Sequence, residues 1–133
     1  MHLIDTNIFL EILLEQEKAD DCEKLLQKIN LSSEKFYVSS FSMHSIEVIM
    51  WRNDKKEELK NFLSDILVSR IIRVDTSTID EIDSIINPEK KLDFDDSLQY
   101  ALCKKMNLKI ISYDKHFDKT GITRVEPKDI NLK

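Results

Sequence analysis

The stretch His2-Leu3-Ile4-Asp5-Thr6 joins a short apolar segment to a polar helix start. It predicts a strand at residues 2–4 and, directly after it, a helix with Asp5 or Thr6 as its N-cap. The same order recurs along the chain. Further strands are expected at residues 36–38, 71–74, 109–113 and 122–125, and further helices at about 17–30, 42–51, 55–68, 76–86 and 94–106. Strands that alternate with helices form parallel sheets covered on both faces. The expected fold class is therefore α/β, a three-layer α/β/α sandwich with a mostly parallel central sheet.

Length and composition favour one compact domain over residues 1–133. The chain has 133 residues, of which 41% are hydrophobic, which is enough for a single core. No apolar run approaches the length of a membrane span, so we expect a cytoplasmic protein without a membrane partner. Cys22 and Cys103 are too far apart in sequence to suggest a disulfide framework or a zinc site.

The charge balance is acidic. The chain carries 20 Lys and Arg against 25 Asp and Glu, a net charge of −5. A general electrostatic attraction to nucleic acid is therefore not supported. The excess carboxylates suit a cation site, or they only keep the protein in solution.

Two acids follow predicted strands. Asp5 comes after the first strand, and Asp114 comes after the strand at residues 109–113. The carboxyl ends of parallel strands meet at one edge of a sheet, where ligands bind in such folds. The alternative is that each aspartate only caps the helix that follows.

Glu47 shares a predicted helix with the apolar stripe of Met43, Ile46 and Met50. An ionised carboxylate on such a stripe needs a cation, an arginine or a route to water, because desolvation is costly. A metal ligand and a glutamate that reaches water at the boundary of the stripe are both compatible with this position.

A third group of acids, Asp93, Asp95 and Asp96, begins the helix at residues 94–106. Acids at a helix N-terminus are favourable without any further role. Helical geometry does not choose between Asp95 and Asp96 as a residue of the site. The histidines His2, His44 and His116 show no metal-binding spacing, and we expect them to be structural or exposed.

Acids from these segments that converged on one cleft would repel each other and raise each other's pKa. A divalent cation with a preference for oxygen ligands, Mg²⁺ or Mn²⁺, would relieve that repulsion. Such a site is suited to the hydrolysis of phosphate esters.

Four segments together resemble the PIN domain family of metal-dependent nucleases, in the same order over nearly the whole chain. They are Leu3-Ile4-Asp5-Thr6-Asn7, Ser42 to Glu47, Asp96 to Ala101, and Ile111 to Phe117. The resemblance implies that the catalytic and metal-binding residues are Asp5, Glu47, Asp96 and Asp114. It also suggests Asn7, Ser112, Asp95 and Asp118 as polar residues that surround these ligands.

The resemblance implies a Mg²⁺- or Mn²⁺-dependent endoribonuclease, similar to the VapC-type toxin of a type II toxin–antitoxin pair. Its expected partners are an RNA substrate, a second copy in a homodimer, and a cognate antitoxin protein. Two alternatives stay open: a non-catalytic PIN-like binding or regulatory module, and another metal-dependent nuclease that acts on DNA. RNA binding would depend on the cation and on local lysines, unless these only form solvated faces. The lysines concerned are Lys90, Lys91, Lys104, Lys105, Lys115 and Lys119.

Overall fold

The computed structural model describes residues 1–86 and 92–131. Within them, one five-stranded sheet has the order β3-β2-β1-β4-β5, and every pairing is parallel. The strands are β1 (His2–Ile4), β2 (Phe36–Ser39), β3 (Ile71–Val74), β4 (Lys109–Ile111) and β5 (Arg124–Val125). In the centre of the sheet, Leu3 of β1 lies opposite Tyr37 of β2 on one side and Ile110 of β4 on the other.

Helices connect these strands and cover both faces of the sheet. They are α1 (Thr6–Leu13), α2 (Ala19–Leu31), α3 (Ser40–Arg52), α4 (Lys56–Val68), α5 (Thr78–Ile86) and α6 (Phe94–Met106), with 3₁₀ turns at Lys115–Lys119 and Pro127–Asp129. No helix among the described residues has both the length and the hydrophobicity that a membrane crossing requires.

The strand side chains alternate between two hydrophobic clusters. Ile4 and Ile111 pack with helices α1 to α4, whereas their neighbours Leu3 and Ile110 pack with α6. This period of two is what a sheet buried on both faces requires. The predicted three-layer α/β/α sandwich with a parallel central sheet is thus confirmed.

Several boundaries differ from the predicted ones by about two residues. Helix α3 begins at Ser40, because the Ser39 hydroxyl accepts a hydrogen bond from the Ser42 amide, 3.0 Å away, and caps the helix. Strand β4 ends at Ile111 rather than at residue 113, because the Ser112 hydroxyl accepts a hydrogen bond from the Asp114 amide at 3.0 Å. That bond bends the backbone out of the sheet. The segment beyond β4 is therefore a turn and not a continuation of the strand.

Candidate metal centre

Asp5 lies at the carboxyl end of the central strand and caps α1. Its Oδ1 accepts hydrogen bonds from the Thr6 amide, at 2.7 Å, and from the Gln99 side-chain amide, while Oδ2 accepts one from the Ser112 hydroxyl. The residue is only 5% exposed. Burial raises the pKa of this carboxyl group, and the hydrogen bonds from Ser112, Gln99 and Thr6 partly oppose that effect. The carboxyl group is therefore held in one position, where a cation would favour its ionised form.

A network of hydroxyl groups orients Gln99 toward Asp5. The Ser42 hydroxyl accepts hydrogen bonds from Thr6 Oγ1, at 2.8 Å, and from Ser39 Oγ, at 3.1 Å, and it donates to Gln99 Oε1, at 3.4 Å. With its carbonyl oxygen used in this way, Gln99 presents its NH₂ group to Asp5. The sequence analysis missed Gln99. The sequence could have indicated it, because a polar amide side chain lies between the apolar positions Leu98 and Leu102 of α6, which are buried.

Asp96 and Asp114 come together beside Asp5. Asp96 is in the first turn of α6, where its amide donates to the N-cap Asp93 at 3.0 Å. Its pKa is raised to about 8 by burial, by a hydrogen bond with Asp114, and by the charges of Asp93, Asp114 and Asp5. The Asp96 carboxyl group therefore retains its proton to a higher pH than an ordinary aspartate. A divalent cation is the other way to neutralise such a pair.

Asp114 caps the 3₁₀ turn after β4 and contacts His116 twice. Its Oδ1 accepts a hydrogen bond from the His116 amide at 2.9 Å and lies 3.2 Å from His116 Nδ1. One potential ligand atom from each of Asp96, Asp114 and His116 lies within 4.8 Å of the other two. His116 is exposed, as predicted, but it is also a member of this group. The sequence could have indicated this proximity, because His116 follows Asp114 by only two residues.

Arg124 holds the segment that carries Asp114. Its Nη1 donates to the Ser112 carbonyl oxygen at 3.0 Å, and its Nε and Nη2 donate to the two carboxylate oxygens of Asp118 at 2.6 and 3.1 Å. These hydrogen bonds keep the pKa of Asp118 below its ordinary value. Asp118 is therefore engaged with Arg124.

Glu47 is not brought to the three aspartates. Its Oε1 lies 2.9 Å from Nδ1 of His44, whose Nε2 lies 3.3 Å from a guanidinium nitrogen of Arg73. Its side chain is 30% exposed. Glu47 lies five residues after Ser42, about 140° around α3 from the face that contacts Gln99. This placement corresponds to the second alternative, a glutamate at the boundary of the apolar stripe.

The remaining predicted polar residues lie in different surroundings. Asp95 is exposed and lines a separate cavity of about 560 Å³ with Phe41 and Ser45, so Asp96 is the member of the pair that contacts Asp114. The side-chain oxygen of Asn7 is buried without a hydrogen-bond partner among the described residues.

Four of the six lysines are exposed, namely Lys104, Lys105, Lys115 and Lys119. Of these, Lys105 pairs with Asp80 at 3.3 Å. Lys90 and Lys91 lie outside the described residues.

The donor set fits a divalent cation. The carboxyl groups of Asp96 and Asp114 and the imidazole of His116 each offer one ligand atom, and these atoms lie within 4.8 Å of one another. The buried Asp5 is close enough to raise the pKa of Asp96. Carboxylate oxygens suit Mg²⁺ and Mn²⁺, and imidazole nitrogen suits transition metals. The residues that converge are thus Asp5, Asp96, Asp114 and His116.

The chain is thus a parallel α/β protein in which Asp5 and Asp114 follow the carboxyl ends of two neighbouring central strands. The PIN domain family model matches residues 2–122, and the chain belongs to this family, which is one of nucleases. A search of curated proteins found no match.

Solved structures share the fold at low sequence identity. VapC20 from Mycobacterium tuberculosis, described as a sarcin-ricin loop cleaving toxin, aligns with a TM-score of 0.76 at 11% identity, over 94% of this chain and 98% of that one. VapBC2 from Rickettsia felis, bound to a DNA fragment from its promoter, aligns with a TM-score of 0.73 at 17% identity, over 94% and 97%. A toxin–antitoxin complex from Klebsiella pneumoniae aligns with a TM-score of 0.69 at 18% identity, over 98% and 100%.

Proposed function

We propose that residues 1–133 form a single-domain, Mg²⁺- or Mn²⁺-dependent endoribonuclease, the toxin of a type II toxin–antitoxin pair. The observation that carries the proposal is the contact between Asp96 and Asp114 beside the buried Asp5. One ligand atom from each of Asp96, Asp114 and His116 lies within 4.8 Å of the others, and carboxylates this close repel each other unless a cation lies between them. Membership of the PIN domain family supports nuclease chemistry at this position.

In this proposal Asp96 and Asp114 bind the cation directly, and Asp5 supplies a third carboxylate. When bound, the cation would activate water and stabilise the charge that develops on the leaving oxygen. Gln99 and Ser112 fix the orientation of Asp5 through their hydrogen bonds. Such fixed positions matter because electrostatic stabilisation is strongest when the groups need no rearrangement during the reaction.

The test compares two neighbouring aspartates. Asp96→Asn should reduce cleavage of a defined single-stranded RNA by about a hundredfold or more in Mg²⁺ or Mn²⁺, a cost typical of losing one catalytic electrostatic contact. Asp95→Asn is the matched control and should retain most of the activity. Glu47→Gln tests whether the fourth acid of the family pattern contributes from its position beside His44. A wild-type chain that cleaves no RNA with either metal would overturn the proposal.

One observation favours a second candidate, a PIN-like module that binds without turnover. Glu47, one of the four acids expected at the site, contacts His44 instead of the aspartates. Calorimetric binding of Mn²⁺ combined with no cleavage of RNA, or of DNA with the same sequence, would support the module. Cleavage of the DNA alone would instead identify a DNA nuclease.

We also propose a cognate antitoxin, a homodimer and a cytoplasmic location, where RNA is available. Two of the similar solved structures are toxin–antitoxin assemblies, which supports the antitoxin partner. The surface that we assign to a second copy is the apolar face of α5, which exposes Ile79, Ile82, Ile85 and Ile86 by 47 to 70%. Expression of the chain alone should arrest bacterial growth, and co-expression of the small protein encoded next to it should restore growth.

A further inference from the structure

The imidazole of His116 is an unusual member of the acidic group. It follows Asp114 by two residues, and its side chain is 63% exposed, so it borders the solvent from which a cation would enter. The 3₁₀ turn that carries it is anchored by Phe117, which is fully buried beneath the turn. The His116 amide also donates to Asp114 Oδ1 at 2.9 Å. The backbone on both sides of this imidazole is therefore fixed relative to Asp114.

The distances among Asp96, Asp114 and His116 are compatible with ligands of a single ion. Nδ1 of His116 lies 3.2 Å from Oδ1 of Asp114, and a ligand atom of Asp96 lies within 4.8 Å of both residues. Adjacent ligands of an octahedral cation with bonds of about 2.1 Å lie roughly 3 Å apart, and opposite ligands roughly 4.2 Å apart. The three side chains can thus face one ion with only small side-chain rotations.

We propose that His116 is a direct ligand of the cation and that it makes the site selective for Mn²⁺ over Mg²⁺. The inference rests on the cation site of the proposed function, and it concerns the identity of the ion. Mg²⁺ strongly prefers oxygen ligands and retains its water, whereas imidazole nitrogen favours transition metals. An imidazole added to two carboxylates therefore favours Mn²⁺ over Mg²⁺ more than oxygen ligands alone would.

Mn²⁺ itself is the probe. Continuous-wave EPR of free Mn²⁺ during a titration of the full chain gives its affinity, and competition with Mg²⁺ gives the selectivity. Pulsed EPR of the bound Mn²⁺ reports whether a ¹⁴N nucleus is directly coordinated. In the wild-type chain we expect a ¹⁴N coupling characteristic of imidazole. Because this signal is read in the unaltered protein, it does not depend on the folding of any variant.

His116→Asn and His44→Asn form a matched pair. Each histidine is exposed and contacts a carboxylate through Nδ1, at 3.2 and 2.9 Å respectively, but only His116 lies near Asp96. His116→Asn should remove the ¹⁴N coupling and weaken Mn²⁺ binding about tenfold or more, with a smaller change for Mg²⁺. His44→Asn should change neither measurement.

Two results would overturn the inference: bound Mn²⁺ without a ¹⁴N coupling in the wild-type chain, or an unchanged ratio of Mn²⁺ to Mg²⁺ affinity in His116→Asn. Either result would leave an oxygen-only nuclease site possible. A ¹⁴N coupling in a chain that cleaves no RNA would support the ligand and contradict the nuclease. The two proposals can therefore fail separately.

Discussion

The hydroxyl group of Ser112 donates a hydrogen bond to Oδ2 of Asp5, across a sequence separation of 107 residues. The same hydroxyl accepts a hydrogen bond from the Asp114 amide at 3.0 Å. One buried side chain thus connects the ends of two neighbouring strands and sets the spacing between two acids of the proposed site.

Ser112→Ala should destabilise the protein and weaken Mn²⁺ binding. Ser112 is fully buried, and its loss would remove the hydrogen bonds to Oδ2 of Asp5 and from the Asp114 amide. We expect a loss of about 1–3 kcal/mol in the free energy of unfolding, measured with urea. Ser64→Ala, at an exposed position of α4, is the control and should change stability little. Equal effects of the two substitutions would contradict the role given to Ser112.

Gln99→Glu should destabilise the metal-free protein strongly. Gln99 is 3% exposed, and its NH₂ group donates to Asp5. A glutamate there would replace a donor by a second carboxyl group, and we expect a cost of about 3 kcal/mol or more at pH 8. Gln27→Glu, on the exposed face of α2, controls for the added charge. Saturating Mn²⁺ should recover part of the stability lost in Gln99→Glu. Chemical denaturation with and without the ion measures both effects.

The stability of the metal-free protein should fall as the pH rises from 6.5 to 8. The pKa of Asp96 is raised from 3.8 to about 8, so in this interval the folded state retains a proton that the unfolded state has lost. The slope per group is at most about 1.4 kcal/mol per pH unit, and solvent screening reduces it at this half-buried site. Urea denaturation in EDTA measures the slope, which should be shallower in Asp96→Asn. A stability that rises over this interval in the wild-type chain would contradict the raised pKa of Asp96.

His2 has the opposite effect at lower pH. Burial lowers its pKa from 6.5 to about 4, so between these values only the unfolded state binds the proton, and stability rises with pH. Asp96 and His2 therefore oppose each other below pH 6.5, and the interval from 6.5 to 8 excludes the effect of His2. Asp5, whose pKa is also raised by burial, acts in the same direction as Asp96, so the comparison with Asp96→Asn identifies the contribution of Asp96. His2→Phe, which keeps the stacking on Phe36, should remove this opposing effect, so that stability falls more steeply as the pH rises from 4 to 6.5. The same denaturation series between pH 4 and 6.5 tests this prediction.

Arg124→Lys should weaken Mn²⁺ binding although Arg124 contacts none of the proposed ligands. The guanidinium group spans the segment from Ser112 to Asp118, which carries Asp114 and His116. The ammonium group of a lysine cannot reproduce the bidentate hydrogen bonds that Arg124 donates to Asp118. We expect the affinity for Mn²⁺ to fall about tenfold, as is typical when a residue that supports metal ligands is lost. The midpoint of unfolding in urea should also be lower. Arg52→Lys, at an exposed position, is the control.

Ile85→Lys should convert a homodimer into a monomer. Ile85 is 67% exposed on α5, whose inward side is formed by the buried polar residues Asp80 and Ser84. A charge on the apolar face would prevent a second copy from packing there, while an exposed position should leave monomer stability almost unchanged. Light scattering after gel filtration measures the mass. Leu67→Lys, 85% exposed on α4, is the control. A monomeric wild-type chain would contradict the assigned face.

The sequence by itself determined the fold class and the positions of Asp5 and Asp114 at the ends of strands. Hydrophobic periodicity and cap residues are local signals, and they suffice to order strands and helices along the chain. The family pattern also favoured Asp96 over Asp95, a choice that helical geometry alone left open, and the structure places Asp96 near Asp114.

Only the tertiary structure decided which polar side chains meet. Glu47 and His116 show the limit. The family pattern grouped Glu47 with the aspartates, whereas its Oε1 lies beside His44. His116 was expected to be structural or exposed, and it is exposed, but it also lies within 4.8 Å of Asp96 and Asp114. The rotation of α3 about its axis and the turn after β4 depend on packing between distant segments. A change of one or two residues in either moves a carboxylate or an imidazole by several ångströms, which is enough to include or exclude a ligand.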